Sequence, residues 1–226
     1  MSEGAESAVR RGIGIMGGAF NPPHLGHLRT AEEAMERFGL ARVLFMPTAL
    51  APHKGSEEMA PFRDRLRMVE LAIAGREGFA ASDLEARLPK PSYTVNTLRA
   101  LAREWGESVY LYFLVGFDSF AQIHLWRGFP EHFKLASFVV NARPTAPGSL
   151  ELLGERLEKI LGLSPVLEPI GKSYLIAGMR PVYYFAGTKL SISSTDLRRR
   201  LSSGKSARYL VPPNVLEYLL EKGVYA

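Results

Sequence analysis

The stretch Gly17-Gly18-Ala19-Phe20-Asn21-Pro22-Pro23-His24-Leu25-Gly26-His27 decides how the rest of the chain is read. A short apolar run, Ile13-Gly14-Ile15-Met16, precedes it, and an amphipathic segment, Leu28 to Phe38, follows. The pattern predicts strand, glycine-rich turn and helix. Such a turn presents backbone N–H groups at a helix N-terminus, where the macrodipole favours an anion. Gly17 and Gly18 have no Cβ to keep a phosphate away from the main chain. His24 and His27 lie three apart, so a helical first turn puts both imidazoles on one face. There they can donate to phosphate oxygens and, as cations, offset charge building on phosphorus. Two plainer readings stand beside this one. The glycine pair can be a turn and nothing more, and the histidines can be half of a metal site. The chain has no cysteine, and no third ligand is close in sequence, so no metal site is expected.

Composition narrows the class. At 226 residues the chain suits one α/β domain, expected over 12–226. Residues 1–11 lack an apolar core and read as a disordered leader rather than a signal peptide. The absence of cysteine excludes a disulfide framework and fits a reducing, cytoplasmic setting. No apolar run is long enough to span a membrane. The formal charge of +5 suits acidic small substrates such as nucleotides. The basic residues are scattered rather than striped, which argues against nucleic acid as a partner.

Along the chain, Arg42 to Pro47 reads as a second buried strand, which with the first makes a parallel, right-handed βαβ unit. The loop that follows carries Pro52-His53-Lys54 at the ligand-binding end of a strand, although a solvated loop has the same composition. Pro61 to Ala74 is an amphipathic helix with a packing role, and Phe79 to Leu88 a short strand and turn. Ser92 or Thr94 is placed to cap a helix from Val95 to Trp105. Val109 to Val115 is the most continuous apolar run and predicts a central strand buried on both faces. Gly116 and Asp118 follow it, putting a carboxylate at the crevice of the sheet, unless Asp118 is only a helix cap. Trp126 sits in a loop-like segment and suits either a stacking surface or the core. A helix from Pro130, a strand from Ala136 to Val140 and an Arg143-Pro144 stop come next. Leu150 to Leu161 reads as an amphipathic helix which, together with Ser164 to Gly178, looks like an insertion or peripheral layer, and Val182 to Phe185 reads as the last strand. In Ser191-Ile192-Ser193-Ser194-Thr195-Asp196-Leu197-Arg198, hydroxyls crowd the start of a helix running to Ser202, more of them than capping requires. That makes a second phosphate cradle.

The first stretch resembles the HxGH signature of the nucleotidyltransferase superfamily. Its fuller form, GGxFxPxHxGH, is similar to that of nicotinate- and nicotinamide-nucleotide adenylyltransferases. Asn21 stands where those proteins frequently have Asp. The 191–198 string resembles the superfamily's ISSTxxR motif, and Pro91-Ser92-Tyr93-Thr94 looks like an element of the bacterial nicotinate-nucleotide branch. The resemblance implies a Rossmann-like, doubly wound parallel sheet with helices on both faces. It also implies adenylyl transfer from ATP to nicotinate mononucleotide, giving deamido-NAD and pyrophosphate in NAD synthesis. It puts His24 and His27 on the triphosphate, Gly17, Gly18 and Phe20 around ATP, and Gly116 and Asp118 on the adenosine ribose. Ile192, Ser193, Ser194, Thr195 and Arg198 go to the phosphates. Lys54, Tyr93, Thr94 and Trp126 go to the mononucleotide, the tryptophan stacking on the pyridine. Mg²⁺ is expected to arrive with ATP, and a homo-oligomer is left open. Pantetheine-phosphate adenylyltransferases, cytidylyltransferases, amide or dual specificity, and a nucleotide sensor without chemistry are the competing readings.

Overall fold

Alternation along the first strands sets the layers of the molecule, for which a computed structural model describes residues 11–50, 59–141, 150–188 and 190–225. In β1 (Arg11–Gly18), Ile15 packs into one core and its neighbour Met16 into another. α1 (Leu25–Phe38) follows, ended by Gly39 in the left-handed conformation with its N–H on the Met35 carbonyl. β2 (Arg42–Pro47) repeats the division, Leu44 to one face and Phe45 to the other. Strands whose successive residues all find apolar partners must be covered on both sides. α1 and α2 (Phe62–Ile73) cover one face.

The chain then forms β3 (Phe79–Ala81), α3 (Leu84–Arg87), α4 (Thr94–Trp105), β4 (Val109–Gly116) and a single turn, α5 (Phe117–Phe120). α6 (His132–Leu135), β5 (Ser137–Asn141) and α7 (Leu150–Leu161) follow. α4 and α7 cover the second face through Leu98, Leu101, Leu153 and Leu157. The last elements are β6 (Val166–Glu168), β7 (Ser173–Leu175), β8 (Val182–Phe185), α8 (Ser194–Ser202) and α9 (Pro213–Lys222). α8 and α9 pack on α2 around Met68, Leu197, Val215 and Leu219.

All eight strands join one sheet in the order β3-β2-β1-β4-β5-β8-β7-β6. The chain winds outward from β1 through β2 to β3, returns to pair β4 on the other side of β1, continues to β5, and then crosses to the far edge at β6 and returns inward through β7 to β8. The winding reverses between β1 and β4. In open α/β sheets the crevice beyond the C-terminal ends of such a strand pair is where ligands bind. β1 and β4 pair only as far as Met16 and Leu114, so Gly17 and Gly18 run on into that crevice.

The α/β sheet covered by helices on both faces stands, with six neighbouring strands from β3 to β8 paired parallel, and four details need correction. At one edge the sheet is mixed, because β7 pairs antiparallel with both β8 and β6. Leu150 to Gly178 is therefore part of the sheet and its cover. Tyr174 is buried, and its hydroxyl donates to the Leu150 carbonyl at 2.9 Å, fastening β7 to α7. The N-cap of α4 is Tyr93, with no side-chain capping bond, so neither Ser92 nor Thr94 caps it. β1 also begins at Arg11, inside the segment read as a leader.

Candidate active site

The turn from β1 into α1 is built of contacts that its own residues cannot supply locally. Gly17 and Gly18 belong to β1, paired with Met46 and Pro47, so the turn proper is Ala19 to His24 rather than the glycine pair. Phe20 takes φ 47°, a strained value for a residue with a side chain, and is 1% exposed. Its ring packs against Phe45 and lies 5.0 Å from the His27 ring. The Phe20 side chain is thus a buried support beneath a histidine.

His24 is the N-cap of α1 and is 7% exposed, and the two imidazoles stack with centroids 3.7 Å apart. The His24 backbone N–H donates to His27 Nδ1 at 3.2 Å. That bond decides the tautomer: with Nδ1 accepting, the proton of a neutral His27 resides on Nε2. Gly26 explains itself sterically, because a Cβ there would stand 3.0 Å from His24 Nδ1 and 3.1 Å from its Cε1. Any side chain at 26 would push the stacked ring. At Gly17 and Gly18 the nearest contacts of an added Cβ are ordinary, 3.4 Å to Phe113 and 3.7 Å to Phe20. Packing does not demand glycine at those two positions.

The second motif meets the first. Ser194 Oγ donates to the Pro22 carbonyl at 2.9 Å, and Arg198 donates through Nη1 to the Asn21 carbonyl at 3.0 Å. Ser193 is the N-cap of α8, its Oγ accepting from the Asp196 N–H at 3.1 Å. Two of these hydroxyls are therefore used within the protein, Ser193 as the cap and Ser194 as a tie to the turn. α8 also brings its helix start, the exposed Thr195 and the Arg198 guanidinium to this end, with Ile192 half-buried just before.

Arg65, in a helix expected only to pack, and Glu85, in a segment expected as a short strand and turn, are built into the same framework. Arg65 is 1% exposed on α2, donating through Nη1 to the Ala19 carbonyl at 2.8 Å and through Nε to the Ala60 carbonyl at 2.9 Å. Glu85 is buried in α3, and its Oε1 accepts from Thr97 Oγ1 at 3.2 Å. Burial pushes the Glu85 carboxyl above its ordinary value, opposed by hydrogen bonds from Ser92, Thr97 and the Ala49 N–H and by the charge of Arg65. Ser92 is also clipped to the loop after β2: its N–H donates to the Leu50 carbonyl at 3.0 Å and its Oγ accepts from the Leu50 N–H at 3.2 Å. The one available sign of Arg65 was its position on the apolar face of α2, three and four residues before the buried Met68 and Val69.

Gly116 closes β4 and is the N-cap of α5, and Asp118 is exposed in that helix's first turn, beyond the cap position. Tyr93 and Thr94 are half-buried at the start of α4. The segment after α5 folds back onto them: the Arg127 guanidinium lies 4.8 Å from the Tyr93 ring centroid, and Gly128 leaves room against Val95. Trp126 is half-buried, edge-on to Phe113 at 6.2 Å and to His132 at 5.8 Å. Lys54, with Pro52 and His53, and the Arg143-Pro144 pair lie outside the described residues. Among the described residues no group of three or more His, Asp and Glu converges as a metal site, and no helix is long and apolar enough to cross a membrane.

The cytidylyltransferase-like family matches residues 15–200. A relative from Pelobacter propionicus, described as "Probable nicotinate-nucleotide adenylyltransferase", is 40% identical over 221 residues, covering 95% of this chain and 98% of its own. One of the same description from Geobacter sulfurreducens is 40% identical over 220 residues, covering 94% and 97%. Among solved structures, the Plasmodium falciparum nicotinic acid mononucleotide adenylyltransferase complexed with NaAD superposes with a TM-score of 0.71 at 18% identity, covering 96% of this chain and 98% of that one. The same enzyme complexed with APC gives 0.68 at 16% identity, with the same coverage. At those identities the likeness is one of fold.

Proposed function

The chain belongs to the cytidylyltransferase-like family and, within it, to the nicotinate-nucleotide adenylyltransferases, and from that premise we propose how its own residues carry out the transfer. The enzyme is a nucleotidyltransferase of NAD biosynthesis that joins the adenylyl group of ATP to nicotinate mononucleotide. A phosphate oxygen of the mononucleotide attacks the α-phosphorus of ATP. The new P–O bond forms as the bond to the bridging oxygen breaks, and pyrophosphate leaves with that electron pair. The nucleophile is already an anion, so no base is needed and no covalent intermediate forms. Catalysis is positioning and electrostatic stabilisation.

The observation that carries this reading is the contact of the two motifs, Ser194 on Pro22 and Arg198 on Asn21, which brings two helix starts to one crevice. His27, with Nδ1 held by the His24 N–H, directs an Nε2 donor at the phosphorus undergoing substitution, and His24 shares the triphosphate. Gly17 and Gly18 allow ATP against the end of β1, and Thr195, Arg198 and the start of α8 hold the β- and γ-phosphates. Gly116 and Asp118 receive the ribose. Tyr93, Thr94 and Trp126 enclose the pyridine, and Lys54 serves the mononucleotide phosphate. A divalent cation such as Mg²⁺, carried on the phosphates of ATP as part of the substrate, would offset charge on the leaving pyrophosphate. ATP and nicotinate mononucleotide are thus the partners, and a cysteine-free chain of this chemistry belongs in the cytoplasm.

The test is product formation with Mg-ATP and nicotinate mononucleotide, followed by chromatography. Wild type is expected to yield deamido-NAD and pyrophosphate in equal amounts, and His27→Ala to lose about 10²-fold or more in turnover. A His27→Ala rate near wild type would overturn the assignment of the histidine.

A further inference from the structure

Resting on that reading of the site, we propose that Tyr225 is a positioning residue for adenylyl transfer, acting through Asn21 on the turn that delivers His24 and His27. Asn21 is 2% exposed and lies three residues before His24. Its side-chain oxygen accepts twice, from the Ala60 N–H at 3.0 Å and from the Tyr225 hydroxyl at 2.5 Å. The Ala60 bond settles the orientation of the amide, because a backbone N–H can meet only the carbonyl end. The Tyr225 hydroxyl must then be the donor, and both lone pairs of Oδ1 are used.

Each remaining side of the turn is held from elsewhere. The main-chain oxygen of Asn21 is taken by Arg198, that of Ala19 by Arg65 and that of Pro22 by Ser194. Residues from α2, from α8 and from beyond α9 thus converge on Ala19 to Pro22, where Phe20 is strained at φ 47°. Such a conformation persists only where its surroundings over-determine it. The Tyr225 bond is the one that reaches the Asn21 side chain from the C-terminal side. Tyr225 is itself anchored. Gly223 turns the chain back in the left-handed conformation, and the Tyr225 ring packs against the cluster of Met68, Leu197 and Val215. Tyr218 ties α9 to α2 through Asp64 Oδ1 at 2.7 Å. Burial pushes the Tyr225 hydroxyl above the ordinary tyrosine range, with Arg198 and Arg65 pulling the other way, so it keeps its proton to donate. The acceptor is required of residue 21, while a negative charge is not.

Tyr225→Phe removes the hydroxyl and keeps the ring, so the fold is retained. Its kcat is expected to fall about tenfold, the scale of losing one hydrogen bond, with both KM values within about twofold of wild type. In an Asn21→Ala background the same change is expected to add less than about twofold, because its acceptor is already gone. A kcat for Tyr225→Phe within about twofold of wild type, or an undiminished loss in the Asn21→Ala background, would overturn the proposal. Imidazole nitrogen spectra of the protein without substrates provide a readout independent of the reaction. The His24 and His27 signals are expected to move in Tyr225→Phe while those of His124 and His132 stay. If wild type makes no deamido-NAD the functional reading fails, and these spectra alone judge Tyr225: unmoved His24 and His27 signals overturn its role.

Discussion

Arg198 donates to the main-chain oxygen of Asn21 at 3.0 Å across a sequence separation of 177 residues. The guanidinium therefore does two things at once. It fixes the turn that carries the histidines, and it brings a permanent cation to the mouth of the β1–β4 crevice.

Because a lysine has one rotating ammonium in place of a planar fork, it cannot reproduce both contacts. Arg198→Lys is expected to lower kcat/KM for ATP about tenfold and Arg198→Ala about 10²-fold. Arg198→Ala should also lower the melting temperature by a few degrees, on the order of one lost hydrogen bond to a charged donor. Steady-state kinetics and a thermal melt on the same preparations check both.

Gly17 and Gly18 separate ligand from packing. An added Cβ at either position meets only ordinary contacts. At Gly14 it would come within 2.9 Å of Leu40 Cδ1 and 3.1 Å of a Val43 methyl. Gly14→Ala is expected to cost about 1–3 kcal/mol of stability, as overpacking does. Gly17→Ala and Gly18→Ala should melt like wild type yet raise KM for ATP by about tenfold or more, since the phosphates meet the new methyl. Melting curves and ATP titrations on the three variants decide it.

His132 makes stability depend on pH. It is fully buried, neither ring nitrogen finds a hydrogen-bond partner among the described residues, and burial lowers it from 6.5 to about 4, with Glu131 opposing and Arg99 adding to the effect. The unfolded chain takes up this proton near the ordinary histidine value and the native state does not. Stability is complete above that value and is lost as pH falls through the window down to about 4. Relative to His132→Leu, wild type is expected to lose about 2 kcal/mol between about pH 7 and about pH 5. Urea unfolding at the two pH values measures it, and equal slopes for the two proteins would contradict it. Since His132 stands edge-on to Trp126, the same protonation should disturb Trp126, the residue we propose encloses the pyridine.

Much of this was readable where the information is local. Arg42 to Pro47, Leu150 to Leu161 and Val182 to Phe185 match their elements residue for residue, because apolar periodicity and Gly or Pro punctuation define them without reference to the rest of the chain. The direction of β7 was not readable, since it depends on which strand becomes its neighbour. Both motifs, 17–27 and 191–198, stood out as strings, but their joining through Ser194 and Pro22 is a tertiary fact. Arg65 and Glu85 escaped for a different reason. A charged residue in a helix reads as surface, and only the carbonyls and hydroxyls brought to them by folding make their burial tolerable. Phe20 was legible as part of the motif, while its place beneath His27 required the positive φ.

The central claim is tested most directly by pyrophosphate release from Mg-ATP, with nicotinate mononucleotide and nicotinamide mononucleotide supplied in parallel. Release with the acid at a kcat/KM about 10²-fold or more above the amide is the predicted result, because a pocket that pairs a carboxylate leaves polar groups unmatched by an amide. No release with the acid would contradict the account.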